Sequence, residues 1–377
     1  MVAGPTEAAM YRSRVWAREQ SYHFPPATRR RMGWRHRANQ GMSHAMIKSV
    51  RAVLAAMLLW TSAPAARAEV SEVTFAQQFG IAFLPLMVME NQKFVEKQAA
   101  SRGLPDVKGA FLKMSGPSVM VDAMLSGSLH FAAQGPPSLA LLWDRTKGNV
   151  KGVGGITTYN LWLNTRNPNV KSIKDFSDKD RIAVPSVKSS TQAILLQMLA
   201  EREFGTDQKF KFDPLTVGLG HPDAMASVLN PAGEINSHFA SSPFHETETK
   251  AGMRSIITAF DITGGQSSQL VFTTTEKFRS ANPQVYASVV AALDDAINWI
   301  NADKKRAADL YLTMSNDKKT NADELVTMMN SPGFEYTRTP MKVGKLFDFM
   351  ARIGSIKTTP TSWKELFFPE AQGLPGD

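Results

Sequence analysis

Cysteine is absent from all 377 residues. Disulfides, thiolate nucleophiles, Cys-ligated zinc and iron–sulfur clusters are therefore excluded together. A bacterial lipoprotein anchor is excluded as well, because it needs a cysteine beside its cleavage site. No apolar run approaches the roughly 20 residues that span a bilayer. Beyond residue 68 there is no excess of either charge. Residues 1–68 carry 11 Lys plus Arg against 2 Asp plus Glu, which leaves 32 of each for residues 69–377. The alkaline balance of the chain therefore belongs to its first 68 residues, and it gives no ground for a nucleic-acid partner of the remainder. Catalytic signatures are missing too: there is no G-x-x-x-x-G-K-[ST] phosphate loop, no G-x-S-x-G elbow and no H-E-x-x-H zinc helix. His130, His221, His238 and His245 fall at no ligand-pair spacing, and His130 and His238 read as core histidines of strands.

What is present begins with a leader. Lys48 and Arg51, the apolar run Val53 to Trp60 and then Ala66-Arg67-Ala68 form a basic, an apolar and an A-x-A region in turn. That is the layout of a secretory signal peptide over 42–68, cleaved after Ala68; a packed N-terminal helix is the competing reading. Residues 1–41 hold Arg29-Arg30-Arg31, Arg35 and Arg37 among Trp16, Phe24 and Trp34. A phosphate-binding arm would look like this. An Arg-rich stretch ahead of a well-formed signal reads better as a non-native or disordered extension, with translation starting at Met42 or Met46.

Residues 69–377 alternate strand-like and helix-like segments, the rhythm of an α/β architecture. Strands are predicted at 70–76, 107–112, 129–133, 181–184, 234–240 and 255–260. Helices are predicted at 86–100, 118–126, 137–143, 191–204, 222–229 and about 282–301. The last of these buries Val285, Val289, Leu293, Ile297 and Ile300, which recur at the spacing of one helix face. Residues 307–362 read as helical, with breaks at Gly333, Pro340 and Gly354. One similarity recurs. Asp122-Ala123-Met124 precedes His130-Phe131-Ala132, and Asp223-Ala224-Met225 precedes His238-Phe239-Ala240. Chance can produce so short a match; two lobes of similar build would also produce it.

Small polar residues, glycines and prolines follow the predicted strands and precede the predicted helices. They are Gln77-Gln78-Phe79-Gly80, Ser115 to Ser118, Gln134-Gly135, the run Lys188-Ser189-Ser190-Thr191, the stretch Gly218 to Pro222 with His221, and Ser241-Ser242. Each Ser or Thr alone could be an ordinary helix cap. Several such loops at matching strand ends point instead to a cleft in which helix N-termini and hydroxyls hold a small anion.

The strings AQQFGIAFLPL at 76–86, SGPSVMVDAMLSGSLHFAAQGPPSLALL at 115–142, SIKDFSDKDRIAVPSVKSSTQAILLQML at 172–199 and LVFTTTEKFRSANPQVYASVVAALDDA at 270–296 resemble, in order and spacing, one known family. It comprises the periplasmic substrate-binding proteins of the nitrate/sulfonate/taurine class of ABC importers. The resemblance covers essentially all of residues 70–370. It implies a type II periplasmic-binding-protein fold, two α/β lobes joined by two crossover segments with a ligand cleft between them. Lobe 1 would be 69–165 plus 268–377, and lobe 2 would be 166–267. It implies a non-enzyme without cofactor or metal, a monomer in the periplasm without a membrane anchor. Its partners would be a small anionic ligand, an ABC permease and that permease's cytoplasmic ATPase. Loops matching Gln77 to Gly80, Ser115 to Ser118, Gln134 to Pro136 and Ser189 to Thr191 would hold the ligand's acid group. The chain departs from the family at Ser241-Ser242-Pro243, where relatives often place an aromatic residue, and by Lys188 beside the helix start. A ligand-sensing module could use the same clamp. The thiamine-pyrimidine enzyme of this fold relies on a Cys-rich stretch, which this chain lacks.

Overall fold

The computed structural model describes residues 68–377. Their eleven strands form two sheets. The strands are β1 (Glu72–Gln77), β2 (Lys108–Lys113), β3 (Phe131–Gln134), β4 (Val150–Thr158), β5 (Trp162–Thr165), β6 (Ile182–Val184), β7 (Thr216–Gly218), β8 (Ser237–Ala240), β9 (Arg254–Thr258), β10 (Ser268–Thr275) and β11 (Glu335–Tyr336). The first sheet has the order β11-β4-β10-β3-β1-β2, and the second has the order β7-β6-β8-β5-β9.

The two sheets share one plan. In the first, β1 runs parallel to β2 and to β3, and β10 lies antiparallel to β3 and to β4. In the second, β6 runs parallel to β7 and to β8, and β5 lies antiparallel to β8 and to β9. The recurring Asp-Ala-Met and His-Phe-Ala fragments fall on corresponding elements of the two lobes. The chain crosses between the sheets twice, through residues 159–161 and through residues 259–267. Trp162–Thr165 pairs with β8 and β9, so this strand belongs to the second sheet and not, as its sequence position suggested, to the first.

The helices are α1 (Leu84–Gln92), α2 (Phe94–Ser101), α3 (Pro117–Ser126), α4 (Pro136–Arg145), α5 (Thr191–Phe204), α6 (His221–Val228), α7 (Phe244–Lys250), α8 (Ala259–Thr263), α9 (Glu276–Ala281), α10 (Pro283–Ala302), α11 (Lys304–Ser315), α12 (Ala322–Met329), α13 (Val343–Arg352) and α14 (Pro369–Gln372). The single helix predicted at 86–100 is two helices. Lys93 adopts a left-handed φ of 56° between them, a position where the sequence has neither Gly nor Asn. The predicted inner face of α10 is buried, and its start is capped by the Glu69 carboxylate, which accepts from Gln284 N at 3.0 Å and Val285 N at 2.7 Å. A carboxylate there satisfies two orphan donors and faces the positive end of the helix dipole. Among the described residues no helix is long and apolar enough to cross a membrane.

The first sheet is held by an aromatic stack that crosses four strands. Phe75 on β1 lies 4.6 Å from Phe111 on β2, 5.5 Å from Phe131 on β3 and 6.3 Å from Phe272 on β10, ring centre to ring centre. Phe75 is fully buried. Replacing it by Ala should cost about 3–5 kcal/mol, since a buried ring leaves a cavity its neighbours cannot fill. Urea unfolding of Phe75→Ala should show that loss as a lowered midpoint.

Candidate functional site

Six parallel-strand ends meet across the line between the lobes. Those of β1, β2 and β3 come from the first lobe, and those of β6, β7 and β8 from the second. Ligands of open α/β sheets bind at such ends. Here the loops touch. Ser118 N donates to Ser186 Oγ at 3.2 Å, and the two hydroxyl oxygens are 3.1 Å apart. Ser138 Oγ donates to the Ser189 carbonyl at 3.3 Å, and Ile81 N donates to the Ser242 carbonyl at 3.4 Å. The lobes are closed on one another.

An inner chamber of about 20 Å³ remains between them. Gln78, Gly135, Ser190, Thr191, Gln192, His221 and Gln269 bring its polar groups, and Tyr159 and Leu161 from the first crossover close it. That volume holds about one water. Gln78 also opens onto an outer chamber of about 350 Å³, walled by Phe79, Gly80, Phe244, Tyr311 and the cations Lys113, Lys318 and Lys319, with Asp317 among them.

Helix starts surround the inner chamber unequally. Pro117, Pro136, Pro137 and Pro222 occupy the first turns of α3, α4 and α6, and a proline has no N–H to offer. The start of α5 has none. Its cap residue Ser190 accepts from Ala193 N at 3.3 Å, and the first-turn N–H groups of Thr191 and Gln192 have no helical carbonyl within reach. Thr191 Oγ1 and Gln269 Oε1 are buried without a hydrogen-bond partner, as are Gln77 Oε1 and Gln134 Oε1. An unsatisfied buried polar atom carries the full cost of its lost hydration. Thr191 and Gln269 face a chamber in which a guest could relieve that cost.

The structure distributes the residues predicted from sequence as follows. Gln78, Gly135, Ser190, Thr191 and His221 line the inner chamber, and Phe79 and Gly80 line the outer one. Ser115 and Ser118 line a separate opening of about 230 Å³ beside Ser186. Gln77 is buried at the end of β1, and Gln134 lies in the core beside Thr273, to whose Oγ1 it donates at 3.0 Å. Lys188 is exposed, with a left-handed φ of 61°, and the Ser189 hydroxyl donates back to the Val187 carbonyl. Ser241 and Ser242 are buried behind the outer chamber, where Ser242 Oγ donates to Glu246 Oε1 at 2.7 Å. Tyr159, Gln269, Lys113, Tyr311 and the 317–319 stretch were not singled out in the sequence. They reach the cleft from a crossover, from β2 and β10, from α11 and from the segment that follows it, none of which carries the loop signature.

His221 heads a buried chain. Its Nδ1 lies 2.8 Å from His238 Nε2, and His238 Nδ1 lies 2.5 Å from Glu248 Oε1. Asn164 Nδ2 donates to Glu248 Oε2 at 2.7 Å, and Asn164 Oδ1 accepts from Ser255 Oγ at 2.6 Å and faces His245 Nδ1 at 3.2 Å. His238, Glu248 and Asn164 are fully buried. The His221 ring also stacks on Phe244 at 5.3 Å, and His245 stacks on Trp162 at 4.1 Å. Burial, with His238 adjacent, holds His221 well below the usual imidazole range. Burial pushes His245 down to about 4 against the attraction of Glu248, and it lowers His130, whose Nδ1 accepts from Thr74 N. Among the described residues no group of three or more His, Cys, Asp or Glu could hold a metal ion.

Two outcomes follow from this geometry. All three lowered histidines are neutral in the folded chain, while in the unfolded chain they take up protons near pH 6.5. Their contribution to stability is complete above that pH and is lost as pH falls through their lowered folded values, which for His245 is about 4. Urea midpoints should therefore drop steadily from pH 7 to pH 4.5. Secondly, a β-carbon at Gly135 would overlap Thr191 Oγ1 across the cleft. Gly135→Ala should leave the melting temperature nearly unchanged and hold the lobes apart, which small-angle scattering would register as a larger radius of gyration.

No protein-family model matches the sequence, and no curated protein matches it in sequence. Solved structures do. The alkanesulfonate-binding protein SsuA from Xanthomonas axonopodis pv. citri, bound to MOPS, is 15% identical over 82% of this chain and 100% of its own, with a TM-score of 0.60. The periplasmic nitrate-binding protein NrtA from Synechocystis PCC 6803 is 14% identical over 79% and 84%, with a TM-score of 0.57. A Candida albicans gene product, CA3427, described as having the generic periplasmic-binding-protein fold, is 15% identical over 82% and 99%, with a TM-score of 0.61. At such identities the likeness is one of architecture: the chain has the two-lobed fold of the periplasmic binding proteins.

Proposed function

We propose that this chain is the periplasmic solute-binding component of an ABC importer, which captures a small sulfonate-, taurine- or nitrate-like anion and hands it to a membrane permease. The observation that carries the reading is the inner chamber. Free N–H groups at the start of a 14-residue helix, an unpaired Thr191 hydroxyl and the Gln78 and Gln269 amides meet there. A helix start of that kind suits an oxyanion. The proteins of similar fold that are named for sulfonate and nitrate support the ligand class. The signal-like residues 42–68 support export.

In this reading the lobes part, the anion enters past Lys113, Lys318 and Lys319, and its acid group settles against the start of α5. An organic tail would lie in the outer chamber between Phe79, Phe244 and Tyr311. The closed form gains population by the difference in anion affinity between the two forms. No bond of the ligand is made or broken.

A thermal-shift panel of nitrate, methanesulfonate, taurine and neutral analogues tests this. A specific anion at 100 times its Kd should stabilise the protein by about 2.7 kcal/mol and raise the melting temperature. Thr191→Ala should remove most of the shift while leaving the unliganded protein as stable as before. A panel in which only neutral compounds shift the transition would overturn the reading.

A further inference from the structure

His221 lines the inner chamber, but the chain His221–His238–Glu248 behind it has no role in the clamp described above, and its chemistry is unusual for an anion site. Glu248 is fully buried and accepts from Asn164 Nδ2 and His238 Nδ1. Because His238 Nδ1 must donate to that carboxylate, its Nε2 is an acceptor while the ring is neutral. With both rings neutral, His221 Nδ1 is then the donor of the 2.8 Å bond between the rings. In the neutral ring this leaves His221 Nε2 as a bare lone pair, on a residue that lines the inner chamber. A lone pair repels an oxyanion. With both rings neutral, the only charge in the relay would be that of the Glu248 carboxylate.

Among the described residues, the other charged groups on the elements around His221 are exposed or already engaged: Lys250 on α7 is paired with Glu324, and Tyr159, which also lines the chamber, has its hydroxyl held far above the usual range by burial. On α6 itself Asp223 is exposed. On α7 Glu246 is tied to Ser242, and His245 is turned to Asn164 and Trp162. On β6 Ile182, Ala183 and Val184 hold no charge, and α5 presents Thr191 and Gln192, with Lys188 exposed before it. From the first lobe come Gln78 and Gln269; Lys113, Lys318, Lys319 and Asp317 stand at the outer chamber.

We propose that the inner chamber is a proton-linked site, in which each bound anion is accompanied by one proton taken from solvent onto His221 Nε2. This rests on the anion-binding function proposed above and states how that site manages charge. The added proton turns the ring into an imidazolium that donates to the anion through Nε2 and to His238 through Nδ1. Glu248, two rings away, is its buried counter-ion. One N–H bond forms, and one proton leaves the buffer. In the unoccupied chamber burial keeps His221 neutral at physiological pH, so a proton it carries in the complex is one taken up on binding. A ligand offering a hydroxyl or amine N–H would instead donate to His221 Nε2 and need no proton.

Isothermal calorimetry of the purified protein with methanesulfonate, and with nitrate as the second probe, tests this. Two amine buffers of different ionisation enthalpy are used, since sulfonate buffers would compete. About one proton should be taken up per anion, and Kd should weaken about tenfold between pH 7 and pH 8 by linkage. His221→Gln, which keeps a hydrogen-bonding side chain without a titrating ring, should flatten that dependence. It should also weaken binding at pH 6.5 tenfold or more. Anion binding by the unmodified protein without proton uptake, or a pH slope that survives in His221→Gln, overturns the proposal and leaves the anion-binding function standing. Failure of both probes to bind overturns the two together. The measurement on the unmodified protein needs no variant to fold.

Discussion

Backbone meets backbone across this cleft, and the rest of the site depends on that closeness. Gly80 follows β1, Gly116 follows β2, Gly135 follows β3 and Gly220 follows β7. Each faces the other lobe. A β-carbon on Gly80 would lie 3.0 Å from the Ser242 carbonyl, and one on Gly220 would lie 3.0 Å from the Ser115 carbonyl. At Gly116 and Gly135 it would overlap Pro185 O and Thr191 Oγ1 outright. With glycine at those four places the strand ends approach until only about 20 Å³ is left. A chamber so small excludes bulk water, and within it the few polar atoms that remain interact far more strongly than they would at a surface. The direct contacts between lobes are therefore competitors of any guest, which has to replace Ser118–Ser186 and Ser138–Ser189 with contacts of its own.

What keeps the lobes together away from the chamber is weak. Arg352 on α13 makes a two-pronged pair with Glu201 on α5, at 2.5 and 2.7 Å, and Lys250 on α7 meets Glu324 on α12 at 2.7 Å. These pairs lie at the surface, where water and salt take back most of the Coulomb attraction. The two crossovers are short, residues 159–161 and 259–267. Short links restrict the lobes to a hinge-like motion, and exposed pairs let that motion reverse. A clamp needs both: a strong interior contact that depends on the guest, and a rim that does not hold without it.

Much of this was legible in the sequence because it is local. Gly127 closes α3 in a left-handed conformation, prolines stand at the helix starts, and the inner face of α10 recurs at the helical period. The loops that follow the strands were found for the same reason. What escaped has no local mark. Four residues at 162–165 are too few to tell which sheet they join, and only pairing with β8 and β9 decides it. The prolines that locate α3, α4 and α6 also take donors away from their starts. The expectation of many helix N-termini holding an anion therefore narrows to the start of α5. His221, His238, Glu248 and Asn164 are brought together by the packing of β5, β8, α6 and α7, at separations of 17, 10 and 84 residues. No spacing rule links them. His238 reads as a satisfied core histidine, which it is; its role as the middle of a chain is visible only in three dimensions.

The placement of charge around the cleft has its own logic. Lys113, Lys318 and Lys319 are exposed at the outer chamber, where ions screen them beyond about 8–10 Å. They can draw an anion to the mouth, but they discriminate poorly among anions already in contact. Discrimination falls to groups that have lost their water, and in the inner chamber those are amides, hydroxyls and one imidazole. An amide cannot change its charge. The imidazole can, and the counter-charge available to it is a carboxylate buried two rings away. The net charge of the interior therefore stays constant only if a guest's charge and a proton arrive together, which makes the relay a gauge of what fills the chamber.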